Sequence, residues 1–185
     1  MIRRASSTFD RFSFHRVGAM VLRHLYLMRG SWPRLLEIAY WPVVSMVIWG
    51  FVTQYMAGTS TVVARTGGLF LGAVMLWDVL FRGNLGLSLA FMEEMWSRNL
   101  GHLSVSPLRP TELMTALVTM SLIRTVVGVL PAALLAIPFF DYSIFSLGLP
   151  LLAFFTLLMM TGWAVGMTVA ALVLRYGLGA ESLAW

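Results

Sequence analysis

Cysteine and lysine are both absent from the 185 residues. Without cysteine the chain has no disulfide, no thiolate metal site and no thiol nucleophile. Without lysine it cannot build a Gly-x-x-x-x-Gly-Lys phosphate loop, so any ATP-driven work must come from another polypeptide. Charge of either sign is also scarce, at 11% of residues against 59% hydrophobic, with a mean hydropathy of +0.83. A chain this apolar cannot cover itself with polar surface in water, and a bilayer is the solvent implied. His15, His24 and His102 are scattered with no His-Glu-x-x-His pattern, and no Gly-x-Ser-x-Gly turn occurs, so zinc-protease and serine-hydrolase signatures are missing.

What is present is arginine, 13 residues of it, giving a net charge of +5. The arginines do not cluster on a polar fold, which argues against a nucleic-acid surface. Most flank apolar segments, where they meet one membrane face and its anionic lipids. The start, Met1-Ile2-Arg3-Arg4, lacks an apolar run leading to a small-residue cleavage site, so no removable signal peptide is expected.

The fold class read from the sequence is all-α integral membrane, with an N-terminal amphipathic interfacial helix and four transmembrane helices. Residues 1–32 are the tail and interfacial helix. Phe14, Val17, Val21, Leu25 and Met28 recur at steps of three and four, within about 80° of a helical wheel. Arg11, His15, Arg16, Arg23 and Arg29 fall elsewhere on the wheel, as expected of a helix lying in the lipid boundary. A surface helix packed on the spans is the equal alternative. Residues 33–185 form the transmembrane domain, with spans at about 38–58, 66–91, 113–138 and 147–174 and a cytoplasmic loop at about 92–112. Trp41-Pro42 is expected to bend the first span locally.

The second span carries Asp78 and Arg82, each costing about 2.5 to 3.5 kcal/mol at a span centre. Four residues apart, they can share a face and pair, with Asn84 as a polar neighbour. Arg124 lies inside the third span, which Thr111 can cap and Glu112 can open. These four intramembrane polar residues are read either as a functional site or as a structural ion-pair network. Gly162, Gly166 and Ala170, like Gly68 and Gly72, recur every four residues and suit close helix packing. Adjacent Glu93 and Glu94 diverge by about 100° on a helix and are read as solvated loop carboxylates. With the N-terminus inside, the cytoplasmic segments hold Arg3, Arg4, Arg11, Arg16, Arg23, Arg29, Arg34, Arg98, Arg109 and Arg175. Only Arg65 lies outside, a bias that fixes the expected orientation.

The loop reads Glu93-Glu94-Met95-Trp96-Ser97-Arg98-Asn99-Leu100-Gly101-His102-Leu103-Ser104-Val105-Ser106-Pro107-Leu108-Arg109-Pro110-Thr111-Glu112-Leu113, and the chain ends Arg175-Tyr176-Gly177-Leu178-Gly179-Ala180-Glu181-Ser182-Leu183-Ala184-Trp185. Both stretches resemble ABC type-2 transporter permeases: the first their cytoplasmic loop, the second the approach to their fifth span. The resemblance covers nearly the whole chain. It implies a bacterial inner-membrane exporter of two permease chains, as a homodimer, and two ATP-binding chains. ATP would bind the partner subunit, and this chain would carry no cofactor of its own. It also implies that the last two of the usual six spans are missing, so a truncated sequence is expected. Glu93, Glu94, Trp96, Arg98 and Leu100 become the expected contact with the ATPase subunit, with Trp96 and Leu100 docking in its groove. A membrane scaffold, or an intramembrane enzyme or ion pathway using Asp78, Arg82 and Arg124, are the competing readings.

Overall fold

The computed structural model describes residues 12–58 and 61–185; the side chains at 34, 57, 61–67, 100, 104 and 178 lie outside the description. Arg3, Arg4 and Arg11 therefore fall outside the described residues, as do the side chains of Arg34, Arg65 and Leu100. Six α-helices follow one another: α1 (Phe14–Arg29), α2 (Trp32–Ala57), α3 (Thr61–Trp96), α4 (Leu100–Val105), α5 (Pro110–Phe140) and α6 (Leu149–Tyr176). Short 3₁₀ turns occupy Ile144–Leu147 and Leu178–Ala184, and there is no strand among the described residues.

The helix ends follow local chemistry. Proline opens α2, α5 and α6 in the first turn, where a missing N–H costs nothing. Helix α5 starts at Pro110, before the expected Thr111 cap, because the Glu112 carboxylate accepts a hydrogen bond from the Arg109 N–H at 3.0 Å. It stops at Asp141, whose left-handed backbone (φ 49°) lets its N–H and that of Tyr142 bond back to Ile137 and Ala136. The helices α2 and α5 run on through Pro42, Pro131 and Pro138.

Helices α2, α3, α5 and α6 run alternately up and down, with α3 packed against the other three. All four are long and apolar enough to cross a membrane. The 36 residues of α3 make a helix of about 54 Å, against about 30 Å of hydrocarbon, so its ends reach beyond the apolar layer. The outward surface is oily: Ile48 and Phe51 on α2, Leu134 and Phe139 on α5, Leu152 and Leu157 on α6 are all exposed. Such a continuous apolar exterior is untenable in water. The chain is a multi-pass membrane protein, as its composition requires.

Two cores sit at opposite ends. Met46, Leu71, Met75, Ala136 and Ile144 fill the end where α2 meets α3 and α5 meets α6. At the other end Phe91, Leu117 and Ala170 pack together, and Met92, Val169, Val173 and Ala184 form a neighbouring cluster. Arg16, Arg23, Arg29, Arg98, Arg109 and Arg175 all belong to this second end.

Helix α1 decides between the two readings of its stripe, lipid boundary or spans, in favour of the spans. Val17, Met20, His24 and Met28 are buried against the bundle, with Val17, Met20 and Ala116 forming a small core that Val21 and Leu103 cover. The helix therefore packs on the spans. Phe14, Leu22 and Tyr26 remain exposed on its outer side. The reason is that Arg16 and Arg23 find carboxylates on the spans, which turns the helix inward. Because a Cβ on Gly18 would meet nothing within 4 Å, Gly18→Ala should stabilise α1 by up to about 1 kcal/mol. Thermal unfolding in detergent should show a slightly higher midpoint; a lower one would contradict a helical, open setting for Gly18.

Candidate functional site

At the arginine-rich end, two carboxylates tie α1 to the spans. Glu112, fully buried at the start of α5, accepts from the Ser13 N–H at 2.8 Å, from Arg16 Nε at 2.9 Å and from Arg16 Nη2 at 2.6 Å. Glu94, near the end of α3, takes an ion pair from Arg23 Nη1 and a hydrogen bond from Asn99 Nδ2 at 2.7 Å. The His24 Nε2 lies 3.3 Å from the same carboxylate without hydrogen-bond geometry, while its Nδ1 meets the Met20 carbonyl at 2.9 Å. Helix α1 is thus clamped to α3 and α5 through charge-assisted bonds separated in sequence by 71 to 99 residues.

This arrangement overturns the reading of Glu93 and Glu94 as solvated. Glu94 is 2% exposed, and Glu93 accepts from Arg124 Nη2 of α5 at 3.1 Å. Their divergence on the helix, which argued against a shared substrate, instead lets each reach a different neighbouring helix. The expected docking helix is also corrected. Helix α3 continues through Trp96 and then stops, with Ser97, Arg98 and Asn99 N–H groups bonding back to Glu93, Met95 and Glu94. Arg98 adopts a left-handed backbone (φ 53°) in this turn. Trp96 and Leu100 therefore belong to different helices and do not form one i, i+4 face. Of the expected contact residues, Trp96 (48% exposed) and Arg98 remain on the surface, joined by Val105 of α4 at 89%.

A cleft of about 370 Å³ opens between α2, α3 and α5. Arg82, Arg124 and Glu93 line its floor and side, with Trp41, Trp96 and Trp185 around it. Arg124 is nearly buried and spends one nitrogen on Glu93, but its Nε has no partner, and neither has the Nε of Arg82. Asp78 shares a face with Arg82 in an adjoining, more open hollow that also contains Trp49 and Trp77. The two are close enough to interact electrostatically, yet no direct salt bridge joins them, contrary to the pairing the i, i+4 spacing suggested. Spacing on a helix permits such a pair; here Arg82 lies between the two spaces and lines both. Asn84 has a structural role: its Nδ2 donates to the Ala184 carbonyl at 3.2 Å, and it accepts from Ser88 Oγ at 3.2 Å.

The small residues act as expected on α6. A Cβ at Gly162 would sit 2.7 Å from the Leu80 carbonyl and 2.9 Å from the Asn84 nitrogen, and Gly166 would meet Asn84 and Leu87. Ala170 is buried beside Phe91. Gly68 and Gly72 instead make room for the ring of Tyr142 in the α5–α6 connection, a correction to their reading as a helix-packing face. Sequence reasoning missed the facing glycines Gly83, Gly86 and Gly128, although Gly128 opens a repeat with Ala132 and Ala136 at the same four-residue spacing. It also missed the link in which Trp163 Nε1 donates to Ser121 Oγ at 3.2 Å and that hydroxyl donates to the Gly83 carbonyl at 2.9 Å. Among the described residues no group of three or more His, Asp or Glu side chains gathers as a metal site. Comparison of the chain with protein-family models, with curated proteins and with solved structures gives no match.

Proposed function

We propose that the chain is the membrane-embedded permease subunit of an ATP-driven exporter, with ATP hydrolysed on a separate chain and a second permease copy completing the pathway. The observation that carries this reading is mechanical. Helix α1 and the Ser97–Asn99 turn lie at one end and are fastened to the spans, α1 by Glu94 and Glu112 and the turn by Glu94. A push on Trp96 or Arg98 reaches α3 directly, and one on α1 reaches α3 and α5. That is what a subunit driven by an external motor requires, because the work must enter through protrusions rigidly joined to the spans. The sequence likeness of 93–113 and 175–185 to ABC type-2 permeases supports the same reading, as does the lack of lysine.

The arginine bias supports a cytoplasmic position for this end, with the N-terminus inside, and a bacterial inner membrane suits the compact, arginine-only composition. The test is copurification with an ATP-binding subunit followed by ATPase and transport assays in vesicles. In such a complex Trp96→Ala should leave ATP hydrolysis measurable while lowering export several-fold. Equal export by the variant, or absence of any ATPase partner in mild detergent, counts against the reading.

A further inference from the structure

We propose that the cleft between α2, α3 and α5 binds the phosphate of an acyl-chain amphiphile, with the Arg82 guanidinium as its anion receptor. The proposal rests on the permease reading only for its biological purpose, since the binding itself requires no motor. Arg82 lies near the middle of a membrane-spanning helix and makes no hydrogen bond or ion pair with any described residue; its Nε is buried. A guanidinium keeps its charge in any protein environment, and a charge at this depth costs about 2.5 to 3.5 kcal/mol or more unless it is compensated. Asp78, one turn away and lining the adjoining hollow together with Arg82, is close enough to interact electrostatically but forms no salt bridge with it, and Glu93 is engaged with Arg124.

The receptor is held in place. Arg82 Cδ lies along α5 at Gly128, where an added Cβ would come 3.4 Å from it and 2.8 Å from the Ile38 carbonyl. Only a residue without a side chain lets α2, α5 and the arginine stem meet there. Beside it, Arg124 is 10% exposed, lines the same cleft and has an unpartnered Nε, so two guanidinium groups converge on one space. Phosphate suits such a fork, accepting several N–H bonds at once. Apart from Glu37 and the Arg124-paired Glu93, the rest of the wall is mainly apolar, with Trp41, Phe81, Leu85 and Leu89 among its residues, which suits an acyl chain and gives a free inorganic anion nothing. The exposed Glu37 at the rim adds an acceptor for the hydroxyls or cationic end of a headgroup.

Native mass spectrometry of the full chain in an uncharged detergent tests this by titration with dihexanoyl phosphatidylglycerol, with a chain-matched uncharged glycolipid and with inorganic phosphate. The phosphatidylglycerol should bind at one site per chain, and the other two should not. Arg82→Gln should weaken binding about tenfold or more, the worth of one charge-assisted hydrogen bond, with partial recovery in Arg82→Lys. Should Arg82→Gln fold poorly, Trp41→Ala, at an exposed position, should still weaken binding with Arg82 intact. Equal binding of the uncharged glycolipid, binding of inorganic phosphate alone, or full affinity in a folded Arg82→Gln variant overturns the proposal, as does full affinity in Trp41→Ala should Arg82→Gln not fold. If bilayer phospholipid is the natural occupant it will copurify from the membrane; if the phosphate belongs to cargo, phosphatidylglycerol will be displaced by that cargo in the same titration. The chain alone is measured, so a failure here leaves the ATPase copurification test untouched, and a failure there leaves this site standing.

Discussion

Exchanging Glu94 for alanine will loosen α1 from the bundle and lower the thermal midpoint of the purified protein. The carboxylate is 2% exposed and holds Arg23 and Asn99. Breaking a fully buried pair by removing one partner costs roughly 3 to 5 kcal/mol. Arg23, 38% exposed, can return to water, which reduces the expected loss to about 2 kcal/mol. For a chain of this size that corresponds to a fall of roughly 4 to 8 °C. Limited proteolysis should then cut between α1 and α2 in the variant faster than in the parent. Because α2, α3, α5 and α6 pack on one another without α1, the spans themselves should remain assembled. An unchanged midpoint with an unchanged cleavage rate would show that the Arg23–Glu94 contact does not hold α1 down.

The second large effect is expected at Gly162. Here the neighbours of an added side chain are backbone atoms of α3: the Leu80 carbonyl, the Asn84 nitrogen and the Gly83 carbonyl carbon, all within 3.1 Å of the built Cβ. No rotamer change relieves that crowding, and the two helices must move apart along the most extensive helix contact in the protein. Overpacking of a tight core costs typically about 1 to 3 kcal/mol, and Gly162→Leu should reach the upper part of that range. The separation also pulls Trp163 from Ser121, removing a bond between α6 and α5. Tryptophan emission should shift to longer wavelength together with a lower midpoint. Gly179→Ala, where an added Cβ meets nothing within 4 Å, is the control and should leave both unchanged. Equal behaviour of the two variants would contradict the close α3–α6 approach.

The apolar spans were legible because their cause is local. Roughly 20 consecutive oily residues have no alternative to a bilayer, and proline, glycine and aspartate mark where each run stops. Gly162, Gly166 and Ala170 were legible for the same reason, as a repeat within one helix. The arginine-rich end was not, because its determinants are far apart in the chain. Nothing near Glu94 announces Arg23, and nothing near Glu112 announces Arg16; the contacts exist only once α1 folds back beneath α3 and α5. Local pattern accordingly left α1 equally placed in the lipid boundary or on the spans, and the two distant carboxylates decide for the spans. The Asp78–Arg82 spacing misled in the opposite sense. Four residues on a helix bring two side chains within reach, but Gly128 offers the arginine stem a separate resting place. Of the candidate cleft, the sequence revealed Arg82 and Arg124 as costly residues at membrane depth, but not that they share one space with Trp41 and Trp96.

Four oily helices, a basic end stiffened by α1, and a cleft lined by Arg82 and Arg124 make up the described fold. Everything depends on that basic end lying inside the cell and the α5–α6 connection lying outside. The lack of any native cysteine makes this directly measurable, since a single introduced thiol reports without background. Val105→Cys, on exposed α4, and Ser146→Cys, exposed in the α5–α6 connection, place thiols at the two ends. With a membrane-impermeant maleimide on intact cells, Ser146→Cys should be labelled at once and Val105→Cys only after the membrane is opened. Labelling of both from outside, or of Val105→Cys alone, would contradict the account.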